Sequence, residues 1–176
     1  ALGEKGWLEA GAAVDRARAA SGRDIHLILI GEGLCFDILK TRGVPAHIHL
    51  EGFRGNIRDY FAASDLGFLP SRFHGESFPL VVIDCLLAGR PVLASSVGEI
   101  PYMLQTEAGP AGELFDLTDW AIDIDDLAAR IAHLASHPDA VQDLVARVPL
   151  AREKFDTVRM RDRYDAVYRK TTDSRK

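Results

Sequence analysis

Apolar side chains recur at Trp7, Ala10, Val14 and Ala17 within KGWLEAGAAVDRARAA, the three-to-four-residue spacing that lays one stripe of a helix against a core. A helix is therefore predicted over residues 5–20, ended by Gly22. Residues 25–30, IHLILI, form a branched apolar run before Gly31-Glu32-Gly33, the pattern of a buried strand entering a tight turn. A short helix over 34–41, stopped by Gly43 and Pro45, leads to an alternating strand at 46–50 and a loop, GFRGN. Asn56 can cap a helix running through Ser64. Strands at 65–69 and 91–95 enclose a loop and a nearly all-apolar helix. A short helix near Glu99–Leu104 and an edge strand at Gly112–Phe115 follow. From Asp125 onward helical patterns dominate: Leu127, Ile131 and Leu134 share one face, Val141, Leu144 and Val145 another, and Tyr164, Val167 and Tyr168 mark a last helix.

Strands that alternate with helices imply right-handed crossovers, hence an α/β fold with a doubly wound, Rossmann-like parallel sheet covered by helices on both faces. One domain is expected over residues 1–170, with 171–176 as a polar tail. In such a fold the first helix follows a strand, yet Ala1 to Glu4 are too few and too polar to form one. The expectation is a chain that starts inside its natural domain, with the first strand upstream.

At 176 residues such a domain buries roughly 70% of the surface its unfolded form exposes, so disulfides are not needed for a core. With 47% hydrophobic residues, 27% charged and a net charge of -5, the chain lacks the basic excess that a nucleic-acid partner calls for. Cys35 and Cys85 sit beside apolar helical neighbours, as reduced, buried thiols of a cytosolic protein do. No metal-ligand spacing appears. No apolar run reaches the ~18 residues of a membrane-spanning helix and no signal peptide opens the chain, so membrane association is not indicated and a cytoplasmic location is expected.

The chemistry concentrates in PSRFHGESFPLVVIDCLLAGRPVLAS, residues 70–95. Pro79 suits the first turn of its helix, and Gly89 with Pro91 stops it. A helix body reading LVVIDCLLA has no polar face and is expected to be buried, which leaves Asp84 in need of hydrogen-bond donors. The helix opens at the carboxyl end of a strand, where doubly wound sheets bind ligands, and free amides around Ser77, Phe78 and Leu80 favour an anion such as phosphate. Glu76, just ahead, can accept hydrogen bonds from paired hydroxyls of a sugar, and Asp84 from a second diol such as a ribose. The plain alternatives are a solvated or helix-start acid for Glu76, and for Asp84 a buried acid satisfied by backbone or a neighbouring arginine.

ESFPLVVID with CLLAGRPVLAS behind it resembles the carboxylate, seven residues, carboxylate motif of retaining glycosyltransferases with the GT-B fold, family 4 in particular. The resemblance extends over Lys5-Gly6, ILIGEG, LEGF, ASDLGFLPS, the VGEIP after Ser96, and Tyr164 and Tyr168. It implies the C-terminal, donor-binding half of a GT-B enzyme, taking a nucleotide diphosphate sugar as substrate, needing no metal or other cofactor, and transferring the sugar with retention to an acceptor on an N-terminal domain not in this chain. By the same resemblance Glu76 contacts donor-sugar hydroxyls, Asp84 the ribose and Lys5 the diphosphate. The loop at Phe53 and Arg54 touches the base, and the amides near Phe78 to Leu80, a stretch that includes Pro79 among the substrate-binding positions, contact phosphate and sugar. Two departures stand out. The second carboxylate is usually glutamate, and Asp84 is shorter by one carbon-carbon bond, about 1.5 Å. The arginine that the family carries shortly before the lysine is absent from this chain.

Other signals are weaker. Gly31-Glu32-Gly33 opens like a dinucleotide fingerprint, but Phe36 stands where the third glycine belongs. His47 and His49, on one face of a predicted strand, have no further metal ligands near them. His74 neighbours the motif and could reach a phosphate or stand in water. Asp123-Ile124-Asp125-Asp126 resembles an Asp-x-Asp metal motif, though acids also gather in a helix's first turn for dipole reasons. Two alternatives to transfer remain: a nucleotide-binding or interaction module of the same fold without transferase activity, and a sugar-nucleotide epimerase of related fold.

Overall fold

The computed structural model describes residues 3–173. A 3-10 turn at Gly3–Lys5 precedes α1 (Trp7–Ser21), β1 (Leu27–Ile30), α2 (Leu34–Arg42), β2 (Ile48–Gly52), α3 (Ile57–Ala63), β3 (Gly67–Leu69), α4 (Leu80–Leu87), β4 (Val92–Ser95), α5 (Ile100–Leu104) and β5 (Gly112–Phe115). Then come α6 (Ile124–Ser136), α7 (Pro138–Arg152), a 3-10 turn at Glu153–Phe155 and α8 (Thr157–Asp173). The alternation read from the pattern is therefore present, with boundaries shifted by one or two residues.

All strand pairs are parallel, but the sheet comes in two pieces, β1-β2 and β3-β4-β5. Small residues set the closeness of the helix layer beside the first piece. Ala10, Ala13, Val14 and Ala17 of α1 are buried in one cluster with Leu127, Ala128 and Ile131 of α6. A second cluster joins Val82, Cys85 and Leu86 of α4 to the strands of the larger piece, α5 and Val148 of α7. Asp123 shows why α6 begins where it does: its Oδ1 accepts from the amides of Asp125 (2.9 Å) and Asp126 (3.1 Å). The acids there cap a helix.

Three expectations change. Helix α4 is apolar but not wholly buried: Leu80 is 68% and Leu87 39% exposed, while Val82, Cys85 and Leu86 form its buried stripe and Val81 and Ile83 pack partly buried against the same cluster. Asn56 precedes α3 but makes no side-chain cap; its amide donates instead to Asp59 Oδ2 at 3.0 Å. The last helix runs on to Asp173, so the polar tail expected at 171–176 begins as helix, and 174–176 lie outside the described residues. Among the described residues no helix is long and apolar enough to cross a membrane.

Candidate functional site

The carboxyl ends of β3 and β4 carry two serines that the sequence reading passed over. Ser71 and Ser95 are fully buried. Ser95 Oγ donates to the Ser71 carbonyl, while Ser71 Oγ accepts from the Phe73 amide (3.2 Å) and donates to Glu76 Oε1 at 2.7 Å. Lys5 Nζ donates to the same oxygen, across from the start of α1, and lies 5.4 Å from the Phe73 ring centroid. Glu76 is only 4% exposed. It is thus neither a solvated loop acid nor a first-turn acid, since α4 begins four residues later. The Glu76 carbonyl accepts from the Glu99 amide at 2.9 Å, tying the loop to the VGEIP turn.

Around this centre the other expected residues distribute unevenly. A cavity of about 980 Å³ is lined by Lys5, Glu76, Pro79 and Leu80, and by Gly31 and Glu32 past β1. Pro79 is the N-cap of α4. The Ser77 amide is spent on the Gly75 carbonyl (2.7 Å), so it is not free as expected, whereas among the described residues no backbone carbonyl accepts from the amides of Phe78 or Leu80. The Phe78 ring is exposed and meets Phe155 edge-on at 5.8 Å.

Phe53, Arg54, His74 and Asp84 do not line that cavity. Asp84 accepts from Arg58 Nε at 2.8 Å, with its side chain 23% exposed, so a neighbouring arginine answers its need for a donor. Arg54 donates to Tyr60 Oη and to Glu51 Oε2, both at 2.9 Å, and Tyr60 donates to Glu51 at 3.0 Å. These bonds, the Arg54 one foremost, hold the Glu51 carboxyl below the ordinary glutamate range. Phe53, beside them, is 71% exposed.

His74 stacks on Trp120, centroids 3.8 Å apart. Trp120 is held by its indole bond to the Arg72 carbonyl (2.8 Å) and by a turn in which Asp119 and Trp120 take φ of 50° and 63°. The sequence offered no sign of this tryptophan, because such positive φ values are unusual outside glycine. Arg72 in turn binds Glu9 Oε1 at 2.8 Å. The remaining candidates pair elsewhere: His47, in a turn rather than a strand, with Asp15 (2.6 Å), and His49 with His26 (2.9 Å). Among the described residues no group of three or more His, Cys, Asp or Glu side chains could hold a metal ion. Burial pushes the Cys85 thiol up, with Asp84 adding to the effect, so it stays protonated.

The family model for glycosyl transferases group 1 matches residues 3–137. Among curated relatives, the chain is 30% identical over 107 residues to N-acetyl-alpha-D-glucosaminyl L-malate synthase of Bacillus anthracis, covering 58% of this chain and 27% of that protein. It is 32% identical over 118 residues to D-inositol 3-phosphate glycosyltransferase of Thermobispora bispora, covering 64% and 25%. The chain thus spans about a quarter of the length of these curated relatives. Two solved structures share its fold. They are the pneumococcal O-GlcNAc transferase GtfA in complex with UDP and GlcNAc (TM-score 0.77, 17% identity, 96% of this chain, 34% of that one) and Anabaena HepE in complex with UDP-glucose (0.75, 20%, 97%, 46%). By the match over residues 3–137 and the parallel α/β architecture, the chain belongs to the glycosyl transferases group 1 and has the Rossmann-like fold of a GT-B C-terminal domain.

Proposed function

We propose that this chain holds a nucleotide diphosphate sugar as the donor half of a retaining glycosyltransferase, the acceptor lying on another domain. The observation that carries the reading is Glu76, a carboxylate buried at the carboxyl ends of β3 and β4 and held there by Ser71 and Lys5 through one oxygen. Its other oxygen is left for the hydroxyls of a donor sugar. That two proteins of like fold were solved with UDP or UDP-glucose agrees with this reading.

The roles follow from charge and position. Lys5 faces the cavity beside Glu76 and serves as counter-charge for the diphosphate, with the free amides of Phe78 and Leu80 as further donors. Together they stabilise the departing diphosphate without calling on a metal. Catalysis is then positioning plus charge stabilisation, with no side chain of this chain acting as a nucleophile. Phe53 and Arg54 form the base-side loop and Asp84 is the ribose carboxylate, reached when Arg58 yields it.

Calorimetry with UDP, UDP-glucose, UDP-GlcNAc and GDP-mannose tests the reading. The expected result is binding of at least one nucleotide sugar with an affinity distinct from that of its free nucleotide. An intact fold that binds none of them sinks it. The Asp84–Arg58 pair favours the second reading, a module of the same fold without transfer, because a carboxylate already neutralised is less open to a ribose.

A further inference from the structure

Between β3 and α4 the chain forms no helix or strand, so the loop that carries Glu76 owes its shape to individual bonds. Two of them act on neighbouring peptide groups. The Phe73 amide donates to Ser71 Oγ at 3.2 Å, and Ser71 Oγ donates to Glu76 Oε1 at 2.7 Å. The Phe73 carbonyl accepts from the Glu76 amide at 3.3 Å. Peptide groups are planar, so the Phe73 amide shares a plane with the Arg72 carbonyl, and the Phe73 carbonyl shares one with the His74 amide. Whatever fixes the Arg72 carbonyl and His74 therefore fixes both planes, and with them the hydroxyl and the backbone that aim the Glu76 carboxylate.

Trp120 holds both. Its indole Nε1 donates to the Arg72 carbonyl at 2.8 Å, and its ring lies on the His74 imidazole, centroids 3.8 Å apart with the planes 11° from parallel. The tryptophan comes from the tip of a two-residue hairpin in which Thr118 and Ala121 exchange both backbone bonds at 2.9 Å. Asp119 and Trp120 there take φ of 50° and 63°, the left-handed signs that favour Asn-Gly or Asp-Gly. A bulky side chain persists in that region where its surroundings over-determine it. The hairpin is anchored behind its tip: Ile122 is buried, with its Cδ1 2.9 Å from where a Cβ on Gly6 would lie, and Asp123 caps α6. The Trp120 ring itself stays 43% exposed, so its place is not explained by burial. What it makes there is two contacts with the Glu76 loop.

We infer that Trp120 is a positioning residue for Glu76, an inference that rests on the sugar-binding role proposed for that carboxylate. The indole and the Ser71 hydroxyl grip opposite ends of the one peptide plane between Arg72 and Phe73, which sets where the hydroxyl proton points. The stack on His74 steadies the next plane, whose carbonyl receives the Glu76 amide. Without both, the bonds among Ser71, Phe73 and Glu76 survive but the loop that they shape can shift. Glu76 Oε2, the oxygen left for a donor sugar, then loses the placement to within about 0.5 Å that a binding group needs.

Amide hydrogen exchange on the whole chain, without ligand, tests the hold on the loop. In Trp120→Leu the amides of Phe73, Glu76 and Glu99, the last bonded to the Glu76 carbonyl, are expected to exchange about tenfold faster, the combined effect of one lost hydrogen bond and one lost stack. Those of Leu27 and Gly67, in strands, should not change. Unchanged loop amides overturn the inference, and so does equal acceleration at Leu27 and Gly67, which would make the hairpin a contributor to the whole fold only. If Trp120→Leu does not fold, Trp120→Phe, which keeps a ring and loses the N–H, and His74→Ala, which does the reverse, make the same comparison with the same outcomes. Calorimetry reads the consequence. The advantage of UDP-glucose or UDP-GlcNAc over UDP, or of GDP-mannose over GDP, should fall about tenfold in Trp120→Leu and be partly restored in Trp120→Phe, while the free nucleotide stays within about twofold. Equal losses for nucleotide sugar and free nucleotide overturn the positioning role. A wild type that binds no nucleotide sugar sinks the proposed function instead, and the exchange rates still decide whether Trp120 holds the loop.

Discussion

The Lys5 ammonium and the Glu76 carboxylate, 71 residues apart in sequence, form an ion pair in which the acid is 4% exposed and the base 35%. The asymmetry decides what each partner's loss does. Without the lysine, a buried carboxylate keeps only Ser71; without the acid, the lysine turns to water.

Lys5→Met is therefore expected to cost about 2 kcal/mol, a value discounted for the lysine's exposure, and Glu76→Gln about 1 kcal/mol, since the amide still accepts from Ser71. Denaturant midpoints at constant slope read both. A larger loss from Glu76→Gln than from Lys5→Met would show that the acid, not the pair, matters to folding.

Binding separates the roles that stability cannot. Glu76→Ala should remove the difference in affinity between nucleotide sugar and free nucleotide while leaving the nucleotide's own affinity nearly unchanged. Ser71→Ala, which loosens the same carboxylate, should reduce that difference without removing it. Calorimetry that finds equal losses for sugar-bearing and free nucleotide would argue against a sugar role for Glu76.

Asp84 and Arg58 make a half-exposed pair, a kind worth about 0.5 kcal/mol. Arg58→Ala should accordingly change stability by less than about 1 kcal/mol and leave UDP affinity no weaker, because it releases the carboxylate. Asp84→Ala should weaken UDP binding itself. If UDP affinity is untouched by Asp84→Ala and only stability falls, the aspartate is structural.

Much of this was legible in the chain. Strand β5 has the bounds its pattern gave, and α1 ends at Gly22 as read, because local periodicity and turn residues decide such elements. Glu76 was legible as a motif residue but not as a buried one, since its burial depends on Ser71 and Lys5 arriving from other elements. The pairing of Asp84 with Arg58, 26 residues away, was open for the same reason. Ser71, Ser95 and Trp120 were invisible: a serine past a strand end looks like any loop serine, and nothing local marks a tryptophan at φ 63°.

The Arg54–Glu51–Tyr60 network gives a pH dependence. The Glu51 carboxyl is held below its ordinary range by Arg54 and then Tyr60, so its contribution is complete above the ordinary glutamate pKa of about 4.3 and fades as pH falls through the lowered folded value. Wild type should be more stable than Glu51→Gln near neutrality, and the gap should close in acid. Denaturation from neutrality to below pH ~4 measures it, and a gap that widens as the pH drops would contradict the assignment.

Two glycines hold the Lys5–Glu76 pair in register, and their neighbours show why no other residue serves. A Cβ on Gly98, at φ +53°, would lie 1.9 Å from the Glu76 carbonyl oxygen, and one on Gly6, at φ +70°, 2.0 Å from that of Pro70. Both contacts are with backbone, which cannot swing aside as a side chain can. Gly98→Ala must then push back the Glu76 loop, and Gly6→Ala the turn that presents Lys5. Each should cost about 2–3 kcal/mol from overpacking and left-handed backbone together, and each should lower the sugar-dependent share of affinity. Gly55→Ala is the control: a Cβ there meets nothing within 4 Å, and its effect should stay within about 0.5 kcal/mol. If Gly98→Ala matched Gly55→Ala in both denaturation and calorimetry, the close approach of Gly98 to Glu76 would not be what positions the carboxylate.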